Sequence, residues 1–257
     1  MDLQLTNKVA IITGASRGIG RAIAETLSAE GMRLVLTARS VQLLNEVAHS
    51  CQSEAVVFAA DLREQDAPHN LVDFALAKFG GIDLLVNNAG ATKRGDFLQL
   101  TEDDWQDGFA LKFYGAVRCC RAAWPQLVAS SGTIVNVIGV GGRTGTAEFA
   151  IGGAVNAALL NLTKALADRG LKDGVKVNAI NPGAIVTDRL TKRIKALSEQ
   201  LSISMEEASS QMAGKLGVNR FGLTAEIARA VAFLASPAAS YCQGSILDVD
   251  GGETRTL

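Results

Sequence analysis

Short runs of β-branched and other apolar residues alternate with longer stretches of helical period along the whole 257-residue chain. This alternation constrains the fold more than any other feature. Residues 9–13, 33–37, 55–58, 83–87, 133–137, 175–181 and 245–249 read as strands. Between them, 19–30, 41–50, 66–79, 102–129, 150–169 and 225–236 read as helices. Gly31 and Gly80-Gly81 are placed as stops, and Thr101-Glu-Asp-Asp104 opens the longest helix as a capping-type run. Strict strand–helix alternation predicts a parallel sheet covered by helices on both faces. Right-handed crossovers make it an α/β fold, a doubly wound Rossmann-type sheet in three α/β/α layers, with ligands at the carboxyl ends of the strands. No linker, repeat or low-complexity tract divides the chain, so residues 1–257 read as one domain. The segment 187–217 is polar and helical but out of step with the alternation, which makes it a candidate lid over a substrate pocket.

Composition narrows the partners. Lys and Arg number 25 against 26 Asp and Glu, a formal charge of −1, which argues against nucleic acid or an anionic membrane as the main partner. The N-terminus has no basic segment followed by a long apolar run, and no stretch approaches the ~20 apolar residues of a membrane span. A cytoplasmic protein is expected. Cys51, Cys119, Cys120 and Cys242 lack metal-type spacing, and His49 and His69 are isolated on helical patterns, so free thiols and no metal site are expected.

Thr13-Gly-Ala-Ser-Arg-Gly-Ile-Gly20 sits between the first strand and the first helix. Gly14, Gly18 and Gly20 fall where the chain must turn tightly, admit a phosphate to the backbone and pack helix on strand. Together with Ser16 and Ile19 they form a candidate pyrophosphate cradle at a helix N-terminus. The second strand ends in Thr37-Ala-Arg-Ser40, with Ala38 where an NAD site normally carries an acid. Arg39, with Arg17 in the glycine turn, could hold a 2′-phosphate by forked hydrogen bonds, which favours NADP(H) over NAD(H).

The glycine turn, Asn87-Asn-Ala-Gly90 after the fourth strand, Asn178, Asn181-Pro-Gly183 with Thr187, Arg220-Phe-Gly222 and Asp248-Val-Asp-Gly-Gly252 together resemble the short-chain dehydrogenase/reductase family. The resemblance covers essentially the whole chain. It implies a nicotinamide dinucleotide-binding domain, commonly a homotetramer (a homodimer being the other assembly), that moves hydride between nicotinamide and a small-molecule carbonyl or alcohol. It also implies cofactor contacts from Asp61-Leu62 on the adenine side. Asn88-Ala89-Gly90 would border the cofactor, and Pro182-Gly183 with Thr187 would lie beside the nicotinamide carboxamide.

The family's catalytic Asn, Ser, Tyr and Lys fall, by the resemblance, on Lys112, Gly139, Gly152 and Asn156. None matches, and no tyrosine lies between Tyr114 and Tyr241 to supply one in another register. Lys at 112 and Asn at 156 form a reciprocal exchange, as though the cation had moved across the site. Lys112 lies in the apolar run 109–114, which suits a partly desolvated amine able to donate a proton or stabilise an alkoxide. The alternative is a lysine snorkelling to solvent. Gly152-Gly153 leaves room for a bulky substrate or for close helix packing, and both readings stand. In the loop 139–148, Thr144 or Thr146 could hydrogen-bond a substrate oxygen, Arg143 could pair with an acidic substrate and Glu148 could titrate. Three functions follow: an oxidoreductase with a non-standard site, a catalytically silent dinucleotide-binding sensor or scaffold, and non-redox chemistry centred on Lys112.

Overall fold

Each of the seven apolar runs forms a strand, and their carboxyl ends share one edge because all pairings are parallel. The structure, a computed structural model, describes residues 2–255. Along the chain come β1 (Val9–Thr13), α1 (Gly18–Ala29), β2 (Arg33–Ala38), α2 (Val41–Ser50), β3 (Ala55–Ala59), α3 (Ala67–Phe79) and β4 (Leu84–Asn87). Next are α4 (Glu102–Phe109), a π turn over Ala110–Tyr114, α5 (Gly115–Ser130), β5 (Thr133–Val137), α6 (Ala150–Asp173) and β6 (Lys176–Pro182). The chain ends through β7 (Ile185–Val186), α7 (Asp188–Leu201), α8 (Met205–Leu216), β8 (Gly222–Leu223), α9 (Thr224–Ala235) and β9 (Ile246–Val249). The main sheet has the order β3-β2-β1-β4-β5-β6-β9, so the topology reverses between β1 and β4. This is the doubly wound α/β arrangement that the alternation predicts.

Side chains on each strand alternate between two cores. Ala10 and Ile12 of β1, Leu34 and Leu36 of β2, and Leu84 and Val86 of β4 pack with α1 and α9 residues such as Ile23, Leu27, Ile227 and Val231. Ile11, Val35 and Leu85 point the other way, against Leu71 and Ala75 of α3 and Cys119, Ala123 and Leu127 of α5. Burial of both faces is why these strands read as continuous apolar runs. The four cysteines are free thiols.

Four details differ from the sequence expectation. The helix expected over 102–129 is broken by the π turn, which adds a residue to one turn at Lys112. Helix α6 runs beyond residue 169 because Gly170 packs directly under the Val175 carbonyl; the left-handed cap is Gly174, at φ 74°. The stretch Ala147–Asp173 also reaches the length and apolar composition of a membrane span, contrary to the expectation that none would. In the fold, its Leu159 packs with Ile138 and Ala179 beside the sheet. The fourth difference is a small parallel ribbon, with Ile185 opposite Gly222 and Val186 opposite Leu223, which clasps the two ends of the expected lid segment. Between those ends α7 and α8 share their own apolar cluster of Leu190, Ile194, Ala208, Ala213, Val218 and Phe221.

Because Leu36 is fully buried in the α1/α9 core, Leu36→Ala should lower the unfolding free energy by about 2–5 kcal/mol. Urea denaturation should read this as a lower midpoint at unchanged slope.

Candidate active site at the carboxyl ends of the strands

The glycine turn leaves β1 with Gly14 at φ 66°, a left-handed conformation that disfavours any side chain. Thr13 at the strand end ties this turn to the Asn87-Asn-Ala-Gly90 segment. Its Oγ1 donates to the Val86 carbonyl at 3.2 Å and accepts from the amides of Asn88 and Ala89 at 2.9 and 3.0 Å. Asn88 Nδ2 donates in turn to the carbonyls of Thr13 and Gly14, at 3.0 and 3.2 Å. A Cβ at Gly14 would lie 2.9 Å from Ala89 Cα, and one at Gly20 would overlap the Gly14 carbonyl. The two motifs therefore need each other's small residues. Arg17 precedes α1 in an extended conformation and gives it no side-chain cap. The first-turn amides of Gly18, Ile19 and Gly20 are thus left for an anion, the requirement of a pyrophosphate cradle.

Thr187 closes the same crevice from the far side, with Cγ2 3.4 Å from where a Cβ on Gly18 would stand. Pro182 ends β6, and the Gly183 amide donates to the Val249 carbonyl at 3.2 Å. Ser16 is half-buried in the turn. Arg17 and Arg39 are exposed, and neither forms an ion pair among the described residues. Asp61 is engaged otherwise: Arg63 bridges it at 3.2 Å to Asp107 at 2.6 Å, while Leu62 is buried.

Lys112 projects from the π turn to the end of β5. Its Nζ donates to the Ile138 carbonyl at 2.6 Å and to Asn156 Oδ1 at 2.5 Å. The expectation of facing residues at 112 and 156 is met, and Lys112 does not snorkel outward. Its stem lies against Gly90, where a Cβ would come within 2.8 Å of the Lys112 Cδ. Burial, reinforced by the nearby charge of Arg189, pushes the ammonium down to about 7. Asn156 is itself buried, and its Nδ2 donates to the Gly139 carbonyl at 3.3 Å. The Gly139 amide donates to Asn181 Oδ1 at 3.3 Å, and Asn181 Nδ2 donates to Asp248 at 2.9 Å. A polar chain thus runs from Lys112 through β5 and β6 to β9.

Gly152 faces the Phe149 ring so closely that any Cβ there would overlap it. The Arg94 guanidinium covers that ring at 4.0 Å. Neither open reading of Gly152 is what the structure shows: its space is filled not by a second helix but by the Phe149 ring, three residues earlier in the chain. Thr144 is exposed and makes no side-chain hydrogen bond among the described residues, so nothing joins it to Lys112. Arg143 is held by Asp248 at 3.2 Å. Sequence reasoning missed the Ile138 carbonyl, which has no sequence signature, and the part played by Arg94. It also missed Arg189 and Arg193, whose one-turn spacing on a helix would have flagged them.

A family model described as enoyl-(acyl carrier protein) reductase matches residues 14–254. The 3-oxoacyl-[acyl-carrier-protein] reductase FabG of Staphylococcus epidermidis is 34% identical over 254 residues, covering 96% of this chain and 98% of that protein. Among solved structures, L-sorbose reductase from Gluconobacter frateurii, complexed with NADPH and L-sorbose, superposes with a TM-score of 0.96 at 34% identity, covering 100% of both chains. YwfH, an NADPH-dependent reductase involved in bacilysin biosynthesis, gives 0.91 at 26% identity, covering 98% of this chain and 100% of that one. A full-length fold match and relatives above 30% identity agree with the motif pairing at β1 and β4: the chain belongs to the short-chain dehydrogenase/reductase family of oxidoreductases.

Proposed function

We propose that the protein is an NADP(H)-dependent oxidoreductase interconverting a carbonyl and an alcohol, in which Lys112 holds the proton exchanged with the substrate oxygen. The observation that carries this reading is the seating of Lys112 Nζ between the Ile138 carbonyl and Asn156, beside Gly90 at the crevice. An ammonium has three donors and no acceptor. Two are committed to Ile138 and Asn156, and the third has no acceptor among the described residues. When that proton passes to a developing alkoxide, the remaining amine keeps both of its hydrogen bonds. The depressed proton affinity brings the group close to neutrality, where general acid–base work is most efficient.

Bound along the glycine turn, a nicotinamide dinucleotide supplies or accepts the hydride. The chain's own tasks are to bind and orient. Uncapped amides of Gly18, Ile19 and Gly20 would receive the pyrophosphate, and Asn88, Ala89, Gly90, Pro182, Gly183 and Thr187 would border the rest. Arg17 and Arg39, both exposed and without an ion pair among the described residues, support a 2′-phosphate and hence NADP(H). Asp61, engaged by Arg63, would border the adenine through its backbone and Leu62.

The site is non-standard in this reading. Lys112, Gly139, Gly152 and Asn156 stand at the positions that the family resemblance makes catalytic. The exchange of amine and amide between 112 and 156 preserves one of each. Gly139 serves through its backbone, bridging Asn156 to Asn181. The Phe149 ring fills with hydrocarbon the volume a side chain at 152 would need.

Two outcomes are expected. Lys112→Ala should lower kcat for carbonyl reduction by about 10²–10⁴ while leaving NADPH binding intact. In the parent protein, kcat/KM for reduction should fall as pH rises through about 7, because the neutral amine has no proton to give; alcohol oxidation should instead fall as pH drops below about 7. Stopped-flow traces at the nicotinamide absorbance band, taken across pH, check both, and a Lys112→Ala profile that keeps the same limb overturns the assignment. For the cofactor, fluorescence titration should show NADPH bound at least about tenfold more tightly than NADH, with Arg17→Ala/Arg39→Ala removing most of the difference. Tight binding with no turnover of any carbonyl or alcohol would instead favour a silent dinucleotide-binding protein.

A further inference from the structure

The mouth of the Lys112 site carries more positive charge than the proton-transfer role needs. Arg94 stacks at 4.0 Å on Phe149, the ring that packs against Gly152. Arg189, in the first turn of α7, donates to the Gly90 carbonyl at 3.4 Å, and Gly90 is the residue against which the Lys112 stem rests. Arg193 follows one turn later on the same helix face. The three are electrostatically coupled: repulsion from Arg193 and Arg189 adds to burial in lowering the proton affinity of Arg94. None forms an ion pair within 4.0 Å among the described residues. Two carboxylates, Glu148 and Glu253, attract Arg94 without forming an ion pair, against the three guanidiniums. Glu253 accepts from the Ala184 amide at 3.1 Å, and burial raises its own proton affinity. Glu148 is exposed.

Like charges one turn apart on a helix repel, and the exposed Arg94 guanidinium is repelled by both of them. An anion placed among the three relieves both. Resting on the oxidoreductase reading of the site, we propose that the substrate carries an anionic group, a carboxylate or a phosphate, received by Arg94, Arg189 and Arg193 while its carbonyl faces Lys112. Planar forked donors suit either headgroup. Phe149 holds Arg94 from behind as a platform, so the guanidinium is oriented before the substrate arrives. The arginines are specificity-determining residues, and Lys112 remains the proton carrier.

The test uses the full chain and pairs of probes that differ in charge: levulinate against methyl levulinate, and dihydroxyacetone phosphate against dihydroxyacetone. With NADPH, the charged member of at least one pair should show kcat/KM at least about tenfold higher, and the pair that responds tells carboxylate from phosphate. Arg94→Met and Arg193→Met should bring that ratio toward one, whereas Lys192→Met, a neighbouring exposed cation on α7, should leave it unchanged. Equal use of charged and neutral members, or a preference that the arginine variants do not alter, overturns the proposal. Weaker NADPH binding in Arg189→Met and Arg193→Met with the charge preference intact would assign these residues to the cofactor and overturn it too. If no probe is reduced, calorimetric titration with levulinate and with inorganic phosphate still decides. Binding that falls at least about tenfold in the Arg94→Met and Arg193→Met proteins sustains the anion site and overturns only the oxidoreductase reading. No binding, or binding the variants leave unchanged, overturns the anion site.

Discussion

Strand β1 is hydrogen-bonded in parallel to β2 on one side and to β4 on the other. Chain leaving β1 and chain leaving β4 therefore emerge at the same sheet edge, where they must either diverge or be tied together. Here they are tied by one buried hydroxyl, Thr13 Oγ1, which holds the amides of Asn88 and Ala89 and reaches the Val86 carbonyl. The glycines on each side of this tie are small because the opposing backbone occupies the space that a side chain would take. An uncapped helix N-terminus lies on one side of that tie and the Lys112 stem, against Gly90, on the other.

Placing a lysine amine at the inner end of this crevice requires compensation for lost hydration. The protein supplies it with a carbonyl and an amide oxygen in place of a carboxylate. A neutral pair of acceptors leaves the ammonium uncompensated in charge, so its proton is held loosely; a carboxylate at the same place would have tightened it. The π turn contributes by rotating Lys112 within an otherwise α-helical path. Asn156 is kept in orientation by a chain of hydrogen bonds through Gly139 and Asn181 to Asp248, which Arg143 also holds. Strand β9, distant in sequence, thus braces the amide that faces Lys112.

Much of this was legible in the sequence, for identifiable reasons. Strands buried on both faces are apolar along most of their length, so Val9–Thr13 and Thr133–Val137 stand out at their true limits despite the buried Thr13, Thr133 and Asn136. Glycines at a strand–helix junction announce a phosphate turn because few other local structures need three of them there. The facing of Lys112 and Asn156 is implied by the family resemblance, which gives the reciprocal exchange of residue types its meaning. Other features had no local signature. Gly170 looks like a helix stop until the Val175 carbonyl above it is seen. Arg143 looks free until Asp248, over a hundred residues away, is found beside it. The β7/β8 ribbon is too short for any periodicity to register.

Taken alone, the sequence determined the alternating α/β architecture, the glycine cradle at the first crossover and the identity of the residues available for chemistry, because each depends on spacing along a single element. Tertiary structure alone decided how those residues are electrically coupled. Burial and the charge of Arg189 lower the proton affinity of Lys112, and Arg193 and Arg189 of α7 repel the Arg94 guanidinium. These effects depend on desolvation and on distances between chain segments far apart in sequence, quantities that exist only once the chain has folded.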